Sequence, residues 1–398
     1  MKRKATIKVA IFALAGIVGA CLILLSVLFI ISGGFMKQMY MEPWSKNYAV
    51  KFADDPRVRL AAGGLLAANS HNMQPWKIEL DKSDPMVFYL YADSSRMTKE
   101  VDPYARQMMI SQGTFLEYVA VAGEKEGWNT EIDLFPNGTY DETHLAESMD
   151  TEPVAKVTLS KIQSKNSPLF EAIFLPDTNR KAYQAERLSS SQVSALESIS
   201  DGNGISIKLY QDQDNLHKIS EYAMQSATIE AGVTRVMDES NAIFRANEYR
   251  KNKYRYGFSV EGQGTSGFMK HVLQGLLTIF PSLNTGRAAS RNFISYTRTS
   301  VDNTPAYAMI VSTGNSRVEQ VESGMLYSRL LLTGHTLGLA MQPLSQVLEE
   351  YPEMKVPYTA FKQAYAPDGG TVQMLFRVGK PTKSTPLSMR RDVMDLIG

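Results

Sequence analysis

Two glycine triplets with identical spacing constrain the fold of this chain more than any other feature of its sequence. Both follow the pattern G-x9-G-x3-G, and their members are Gly113, Gly123, Gly127, Gly324, Gly334 and Gly338. Glycine within a helix costs about 1 kcal/mol relative to alanine, so a repeated pattern of this kind needs a physical reason. The repeat indicates two central helices that pack closely enough to need bare backbone, with coincidence among 27 glycines as the alternative.

The segments around the first triplet predict an α+β fold. Apolar residues recur at three- and four-residue steps over residues 56–68 and 111–126, which predicts two helices. Strand patterns occupy residues 78–80, 87–91, 130–134 and 154–159. Helices interleaved with strands indicate a sheet that is covered by helices. Farther along the chain, residues 220–250 predict one long helix.

The N-terminal segment is the most apolar part of the chain. Four basic residues precede an uncharged run over residues 9–36, which exceeds the roughly 20 residues that a helix needs to cross a bilayer. Only Lys37 follows directly, and this charge asymmetry favours a cytoplasmic N-terminus. We therefore expect a single-pass anchor in the cell membrane, with the soluble part extracytoplasmic. Cleavage as a signal peptide, or as a lipoprotein at Cys21, is the alternative.

Charge and cysteine content exclude several classes of protein. The formal net charge of +1 gives no indication of a nucleic-acid partner, which would need a clustered basic surface. Cys21 is the single cysteine and lies in the apolar N-terminal run. Disulfides, zinc clusters and a cysteine nucleophile are therefore excluded from the rest of the chain.

A polar loop after the first predicted helix carries the most specific motif. Residues 70–76 read Ser-His-Asn-Met-Gln-Pro-Trp. This segment resembles the Ser/Asn loop, ending in Asn-x-Gln-Pro-Trp, with which FMN-dependent nitroreductases contact their flavin. The helix over residues 113–127 is similar to the long central helix of the same family. We expect Trp76 to be a core anchor rather than a stacking platform.

Three further motifs extend the resemblance to about residues 57–397. Residues 177–181, Asp-Thr-Asn-Arg-Lys, resemble the opening arginine motif that grips the FMN phosphate. Residues 338–344, Gly-Leu-Ala-Met-Gln-Pro-Leu, resemble the turn that packs against the flavin ring. The tail, residues 374–381 and 388–391, is similar to the closing strand and terminal basic residues. Together the motifs resemble the fused branch typified by mycobacterial dormancy-associated nitroreductase-like proteins.

The distribution of these motifs implies a fused pair with one cofactor site. An ordinary nitroreductase is a homodimer that holds flavin between its subunits, with the arginines from one subunit and the Ser/Asn loop from the other. Here the first half has the loop and the second half has the arginine motif, whereas residues 201–205 lack Asn-x-Gln-Pro-Trp. The resemblance implies a nitroreductase-like α+β pseudo-dimer. We place the anchor at residues 1–36, the first half at 37–165 and the second at 166–398.

The resemblance also implies which residues hold the FMN. They are Ser70, Asn72, Gln74, Arg180, Leu339, Pro343, Leu344, Arg390 and Arg391. Guanidinium groups suit a dianionic phosphate because they offer bidentate hydrogen bonds, so Arg180 and one of the two tail arginines are the candidates. Ser70 and Asn72 suit ribityl or phosphate oxygens, and Gln74 either reaches the flavin edge or braces its own loop. Backbone amides of residues 339–344 could donate to flavin N5. No catalytic side chain and no metal is expected, because the flavin carries the chemistry.

Two functions and three roles for an insertion stay open. The chain is either an oxidoreductase that reduces a nitro, quinone or similar small-molecule acceptor, or an FMN-binding and sequestering protein with little turnover. NAD(P)H or a membrane component is the electron donor in the first case. Residues 222–290 exceed a minimal nitroreductase and include an apolar stretch at 268–283. They form a lid over the flavin, a helix lying on the membrane or a partner-binding hairpin. Arg377 is interpreted as a strand-surface residue.

Overall fold

The computed structural model describes residues 2–200 and 204–398 and shows an α+β fold. The predicted second loop at residues 201–205 therefore lies largely outside the described residues. The strands are β1 (Trp76–Leu80), β2 (Val87–Ala92), β3 (Trp128–Leu134), β4 (Ala155–Lys161), β5 (Ile205–Tyr210), β6 (Ala306–Ser312), β7 (Ala340–Pro343) and β8 (Thr371–Gly379). They form two antiparallel four-stranded sheets with the orders β1-β2-β4-β3 and β5-β6-β8-β7. The two orders have the same pattern, as two related halves require.

The helices surround and separate these two sheets. They are α1 (Lys2–Ile31), α2 (Pro56–Gly64), α3 (Arg106–Glu126), α4 (Leu145–Thr151), α5 (Pro168–Ala172), α6 (Ser190–Glu197), α7 (Gln213–Gly232), α8 (Thr234–Ala242), α9 (Glu248–Tyr254), α10 (Gly267–Ile279), α11 (Gly286–Val301), α12 (Arg317–Thr336) and α13 (Lys355–Tyr365). The single helix predicted over residues 220–250 is wrong. Extended backbone at Val233 separates α7 from α8, and a bridge between Phe244 and Phe258 draws the next segment away.

The two central helices, α3 and α12, cross at the first glycine of each triplet. A Cβ atom on Gly113 would lie 1.8 Å from the carbonyl oxygen of Val321, and one on Gly324 would lie 1.9 Å from that of Ile110. No side chain fits at such distances, so the predicted close packing is confirmed. The third glycines end the helices instead of lying within them: Gly127 caps α3 at φ 78°, and Gly338 follows α12 at φ 72°.

The first core lies between the β1–β4 sheet and the α2 and α3 helices. Trp76 is fully buried there, donates its indole N–H to the Ser111 carbonyl at 2.8 Å, and stacks at a tilt on Phe115. The interpretation of Trp76 as a core anchor is confirmed. Its hydrogen bond to α3 fixes the end of the polar loop at residues 70–76 relative to the central helix, which positions the candidate site.

The N-terminal helix stands largely outside these cores. Its segment Ala10–Ile31 is long and apolar enough to cross a membrane, by length and composition, and almost none of it is covered by protein. The same properties also fit a signal sequence. Only its last turns are packed, with Leu28 buried against α10.

We expect Gly324→Ala to destabilise the fold strongly, because its new methyl group would meet backbone that cannot rotate away. Overpacking typically costs about 1–3 kcal/mol, and a contact with a carbonyl oxygen below 2 Å should reach or exceed the upper value. Urea unfolding followed by circular dichroism measures the change. Gly232→Ala is the matched control, because open space surrounds that helical glycine. Equal midpoints for the two variants would contradict the tight crossing.

Candidate functional site

The polar loop at residues 70–76 has a strained backbone. His71, Asn72 and Gln74 all adopt left-handed conformations, with φ of 53°, 52° and 51°. Such conformations cost roughly 1–3 kcal/mol each for non-glycine residues and persist where surrounding contacts enforce them. Here the Asn69 side chain accepts from the Gln74 amide at 2.7 Å, and the Asn72 carbonyl accepts from the Gly257 amide at 2.9 Å. Backbone strain that surrounding contacts enforce in this way is typical of functional loops.

Asn72 and Gln74 point into the protein and brace the loop. The Asn72 amide donates to the carbonyls of Gly257 and Met389, both at 3.1 Å. Gln74 is fully buried, donates to the Arg255 carbonyl at 2.9 Å and accepts from the Arg391 amide at 2.8 Å. Of the two roles predicted for Gln74, these contacts correspond to the bracing of the loop.

Both tail arginines are buried and occupied by protein groups. Arg390 donates to Asn72 Oδ1 at 3.0 Å and to the Leu66 carbonyl at 2.9 Å, forms an ion pair with Asp177 at 2.9 Å, and covers the Trp44 ring. Arg391 donates to the carbonyls of Gln74, Trp76 and Asp395. The two guanidinium groups therefore attach the C-terminal tail to the first sheet and leave few N–H groups for a ligand.

Arg180 is placed differently from the tail arginines. Its guanidinium donates to the Gly262 carbonyl at 2.9 Å, and within the described residues no carboxylate lies at salt-bridge distance from it. Lys181 follows directly, and a Cβ on Gly264 would lie 2.8 Å from the Lys181 ammonium. Lys181 also has no salt bridge in the described part of the chain. Two adjacent cations without anionic partners create a positive site beside residues 262–264.

The arginine motif lies near the Ser/Asn loop, because the charge of Arg180 acts on His71. Burial, followed by the positive charge of Arg180, lowers the pKa of His71 to about 4, so its imidazole is neutral near pH 7. Burial also lowers the pKa of Arg180, against the opposing effect of Asp177. Yet both side chains keep partial solvent accessibility. These two partly accessible side chains, one from each predicted half, therefore lie in one region of the protein.

Other polar groups surround His71 and Arg180. The Ser70 hydroxyl bonds His71 Nδ1 at 2.8 Å and Gln107 Oε1 at 3.0 Å, and the Phe258 ring lies 5.4 Å from the His71 ring. On the side of Arg180, the buried hydroxyls of Tyr118 and Tyr327 and the buried Nε2 of His335 have no hydrogen-bond partner among the described residues. Unpaired buried polar groups commonly mark the position of a bound water, ion or ligand.

The charge of Asp177 connects these unpaired groups. Burial raises the pKa of Tyr118 and Tyr327, and the Asp177 carboxylate adds to both shifts. Burial lowers the pKa of His335, with Asp177 acting in the opposite direction. Arg180 also acts on Tyr327. The cations and the unpaired hydroxyls therefore belong to one region between α3 and α12.

The predicted flavin-facing turn lies next to the arginine motif. The Asn179 amide donates to the Met341 carbonyl at 3.0 Å, so residues 177–181 run alongside β7. Leu339 and Leu344 are buried, and their amides donate to the carbonyls of Gly334 and Leu375. Pro343 has no N–H group. Hence none of these three residues offers an amide to flavin N5, and only their apolar surfaces remain for such a contact.

Arg377 is a buried supporting residue of this region that the sequence interpretation missed. A strand-surface position is wrong, because Arg377 is fully buried in β8, an interior strand with both faces covered. Its guanidinium donates to Gln342 Oε1 at 2.7 Å and to the backbone carbonyls of Ser300, Asn303, Asn179 and Lys181. It thus holds the carbonyls of both residues that flank Arg180. The continuous apolar run on either side of Arg377 was the available signal.

Part of the predicted insertion covers this region. Gly257 bonds the Asn72 backbone and side chain, and Gly262 accepts from Arg180. At φ 87°, Gly257 approaches the chain so closely that a Cβ would lie 2.1 Å from the Ile243 carbonyl. A separate open depression along α6 is lined by Leu188, Ser190, Val193, Ser194, Glu197, Ser198 and Gln211. It contains no cation and does not suit a phosphate.

Sequence comparison shows that the chain is similar to proteins named as nitroreductases, the class that its motifs resemble. Its curated relatives come from two strains of Mycobacterium tuberculosis, and one is named "Putative NAD(P)H nitroreductase Rv3131". Each is 24% identical over 358 residues, which cover 87% of this chain and 92% of the relative. No family model matches the chain.

Solved structures show partial similarity. A nitroreductase with bound FMN from Bacteroides fragilis has a TM-score of 0.30 and 10% identity over 57% of this chain and 95% of its own. A protein from Anabaena variabilis described as a nitroreductase has a TM-score of 0.37 and 10% identity over 79% of this chain and 82% of its own. Overlays at this level support no detail of the site, which depends on the contacts within this chain.

Proposed function

We propose that this chain binds one FMN between the Ser/Asn loop and the arginine motif and acts as an FMN-dependent oxidoreductase. The observation that carries the proposal is that residues 257–262 bond both Asn72 of the loop and Arg180 of the arginine motif, from opposite predicted halves. The charge of Arg180 also acts on the buried His71. The similarity along 87% of the chain to mycobacterial proteins named as NAD(P)H nitroreductases supports the same class.

The residues present fit the phosphate end of FMN best. Arg180 offers guanidinium N–H groups to a dianion, with Lys181 as an adjacent cation and Ser70 as a short polar group. Asn72, Gln74, Arg390 and Arg391 act on the cofactor indirectly in this proposal, because their contacts hold the loop and the tail in place. When bound, the flavin would supply the electron or hydride transfer.

The remaining predicted residues would form an apolar surface beside the flavin. The two halves of the chain would be those of a pseudo-dimer. Leu339, Pro343 and Leu344 present side chains to the ring region while Arg377 fixes the strand beside them. We assign residues 37–165 to the first half, residues 166–398 to the second, and residues 222–290 to the lid insertion. The equal strand order of the two sheets supports this division.

The chemistry of the proposed flavin site and the location of the soluble part favour particular electron acceptors and electron donors. A nitro compound, quinone or similar small acceptor suits a flavin site without a catalytic acid or base. The names of the relatives favour NAD(P)H as the donor. If residues 9–36 anchor the chain with its soluble part extracytoplasmic, NAD(P)H would be scarce there, and a membrane component would replace it.

A sequestering protein is the second candidate, and one observation favours it. Gly257 and Gly262, both in the insertion, already bond Asn72 and Arg180, so the insertion covers part of the region between these two residues. A cover that stayed closed would hold FMN and prevent turnover.

We expect the full-length protein in detergent to bind one FMN per chain and to reduce a quinone or nitro acceptor with NAD(P)H. One site follows because only one loop and one arginine motif are present. Visible absorbance of the reconstituted protein gives the stoichiometry, and donor oxidation gives the turnover. Two flavins, or none, would contradict the site. One flavin without turnover from NAD(P)H or a reduced quinone would favour sequestration.

We expect Arg180→Ala to weaken FMN binding about 10- to 100-fold without loss of stability in the absence of FMN. A hydrogen bond to a charged group contributes about 1.5–3 kcal/mol, and each 1.4 kcal/mol is tenfold in affinity. Asn72→Ala should weaken binding less, through its loop. Arg390→Ala should instead destabilise the protein without FMN, because it leaves Asp177 unpaired in a largely buried position.

Fluorescence titration with FMN and thermal unfolding without FMN separate these effects. Arg187→Ala is the matched control, since Arg187 is exposed in the same segment. If Arg180→Ala bound FMN as tightly as the parent, the phosphate would bind elsewhere. If Arg390→Ala bound FMN more weakly with unchanged stability, Arg390 in the tail would be the residue that binds the phosphate.

We also propose that α1 anchors the chain in the cell membrane with the soluble part outside the cytoplasm. The apolar segment Ala10–Ile31 and the basic residues before it support this topology. We expect alkaline phosphatase fused after Gly398 to be active and green fluorescent protein fused there to be dark. A fusion after Lys8, which lacks the apolar segment, is the cytoplasmic control. The reverse pattern at Gly398 would refute the orientation.

A further inference from the structure

The segment that contains α10 and α11 has a charge pattern unlike the rest of the chain. Residues 267–301 contain no aspartate or glutamate, whereas 41 acidic residues occur in the whole chain. The basic residues of the segment are Lys270, Arg287, Arg291 and Arg298. The three arginines are exposed and make no salt bridge to any described residue. Their positive charge is therefore directed to the outside of the protein.

The polarity of α10 is inverted relative to a helix on a water-soluble surface. Its buried residues are Lys270, Gln274 and Gly275. Its exposed residues include Phe268 and Met269, each with more than half of its surface accessible. The apolar surface includes Ile279 at the end of the helix and continues beyond it with Phe280 and Leu283, and on α11 with Tyr296. Single exposed apolar residues are ordinary, but a set confined to one segment marks a contact surface.

Buried ions explain why α10 presents this face. Lys270 bonds Glu248 at 3.0 Å and Glu261 at 3.5 Å, and Lys251 bonds Glu248 at 2.7 Å. Tyr40 joins the same cluster by donating to Glu248 at 2.7 Å. Buried charges need such partners, so the polar side of α10 is held inward and its apolar side is forced outward.

The exposed apolar face lies beside the end of the apolar N-terminal helix. A Cβ on Gly275 would lie 2.6 Å from the Leu28 carbonyl, so α1 and α10 touch backbone to backbone. Ser32 bonds His271 at 2.8 Å, and the Phe29 ring stacks on the Phe268 ring with centroids 6.1 Å apart. The apolar segment Ala10–Ile31 ends at these contacts. Wherever α1 leaves a bilayer, α10 is therefore at the same depth.

We propose that the exposed face of α10, the turn at residues 280–285 and the exposed arginines of α11 rest on an anionic lipid surface. The inference rests on the proposed membrane anchoring by α1. Continuity with α1 and three arginines without anionic partners favour lipid over protein as the occupant. Aromatic and basic side chains together are typical of helices that lie in the membrane interface. Both the lid and the membrane-lying interpretations of the insertion then hold, for different parts of it.

Single-cysteine labelling of the full chain tests this contact. Cys21→Ser gives a cysteine-free background, because Cys21 is the single cysteine. Phe280→Cys in this background carries a nitrobenzoxadiazole label on the proposed face. Val356→Cys is the matched control, an apolar residue of α13 that is 77% exposed. The parent labelled at Cys21 reports on α1 itself. Each protein is reconstituted into vesicles of phosphatidylcholine with or without 30% phosphatidylglycerol, a composition about as anionic as many cell membranes.

We expect lipid-attached spin labels to quench the Phe280→Cys label and iodide in solution to leave it largely unaffected, with the reverse for Val356→Cys. Exchange of Arg287, Arg291 and Arg298 for glutamine should abolish the extra lipid quenching that phosphatidylglycerol produces. These arginines are exposed, so the triple variant should fold, and parental thermal unfolding checks this.

Three results would overturn the proposal. Iodide quenching at Phe280→Cys with a shielded Cys21 label shows an anchored chain whose α10 stands clear of the membrane. Shielding of Phe280→Cys from both quenchers shows that a second copy or another protein covers the face. Iodide quenching at both positions shows that α1 does not span the bilayer, so the proposed anchoring fails together with the lipid contact.

Discussion

The crossing of α3 and α12 is the contact on which the rest of this structure depends. Because carbonyl oxygens approach Gly113 and Gly324 to within 2 Å of where a Cβ would lie, the two helices behave as one rigid unit. The Ser70 amide and the Trp76 indole are both bonded to Ser111 of α3. Tyr327 of α12 lies within electrostatic reach of Arg180. The distance between the loop and the arginine motif is therefore set by two glycines that contact neither.

Buried arginines also hold distant segments of the chain together. Arg377 holds the carbonyls of the residues on either side of Arg180, and Arg390 connects Asn72, Leu66 and Asp177 across more than 200 residues of chain. A buried guanidinium is stable only when nearly all of its N–H groups are bonded, so it tolerates few alternative arrangements. Arg180 differs by retaining donors and lacking a carboxylate partner. The donors that it retains therefore distinguish Arg180, the proposed ligand-binding arginine, from Arg377 and Arg390, which support the structure.

Buried ion pairs also connect the residues beside Arg180 to the end of the N-terminal helix. Glu261, in the short helical turn beside Gly262, shares its cluster with Lys251 and Lys270. Tyr40 and Ser32, just after the apolar segment, contact α9 and α10. A displacement of α10 would thus be transmitted to the residues above Arg180 through buried ion pairs. In this chain the residues around Arg180 and the end of the apolar N-terminal helix are connected by buried contacts.

The sequence by itself determined the features that depend on local spacing. Glycine triplets predicted the central helices, alternation predicted the strands of the first sheet, and a long uncharged run predicted α1, because each pattern reports which faces of one element are buried. Only the tertiary structure decided the roles of Asn72, Gln74, Arg377, Arg390 and Arg391. A guanidinium or an amide has the same sequence signature on a ligand and on a buried carbonyl. Its role depends on partners that are distant in sequence and that only folding brings within hydrogen-bond distance.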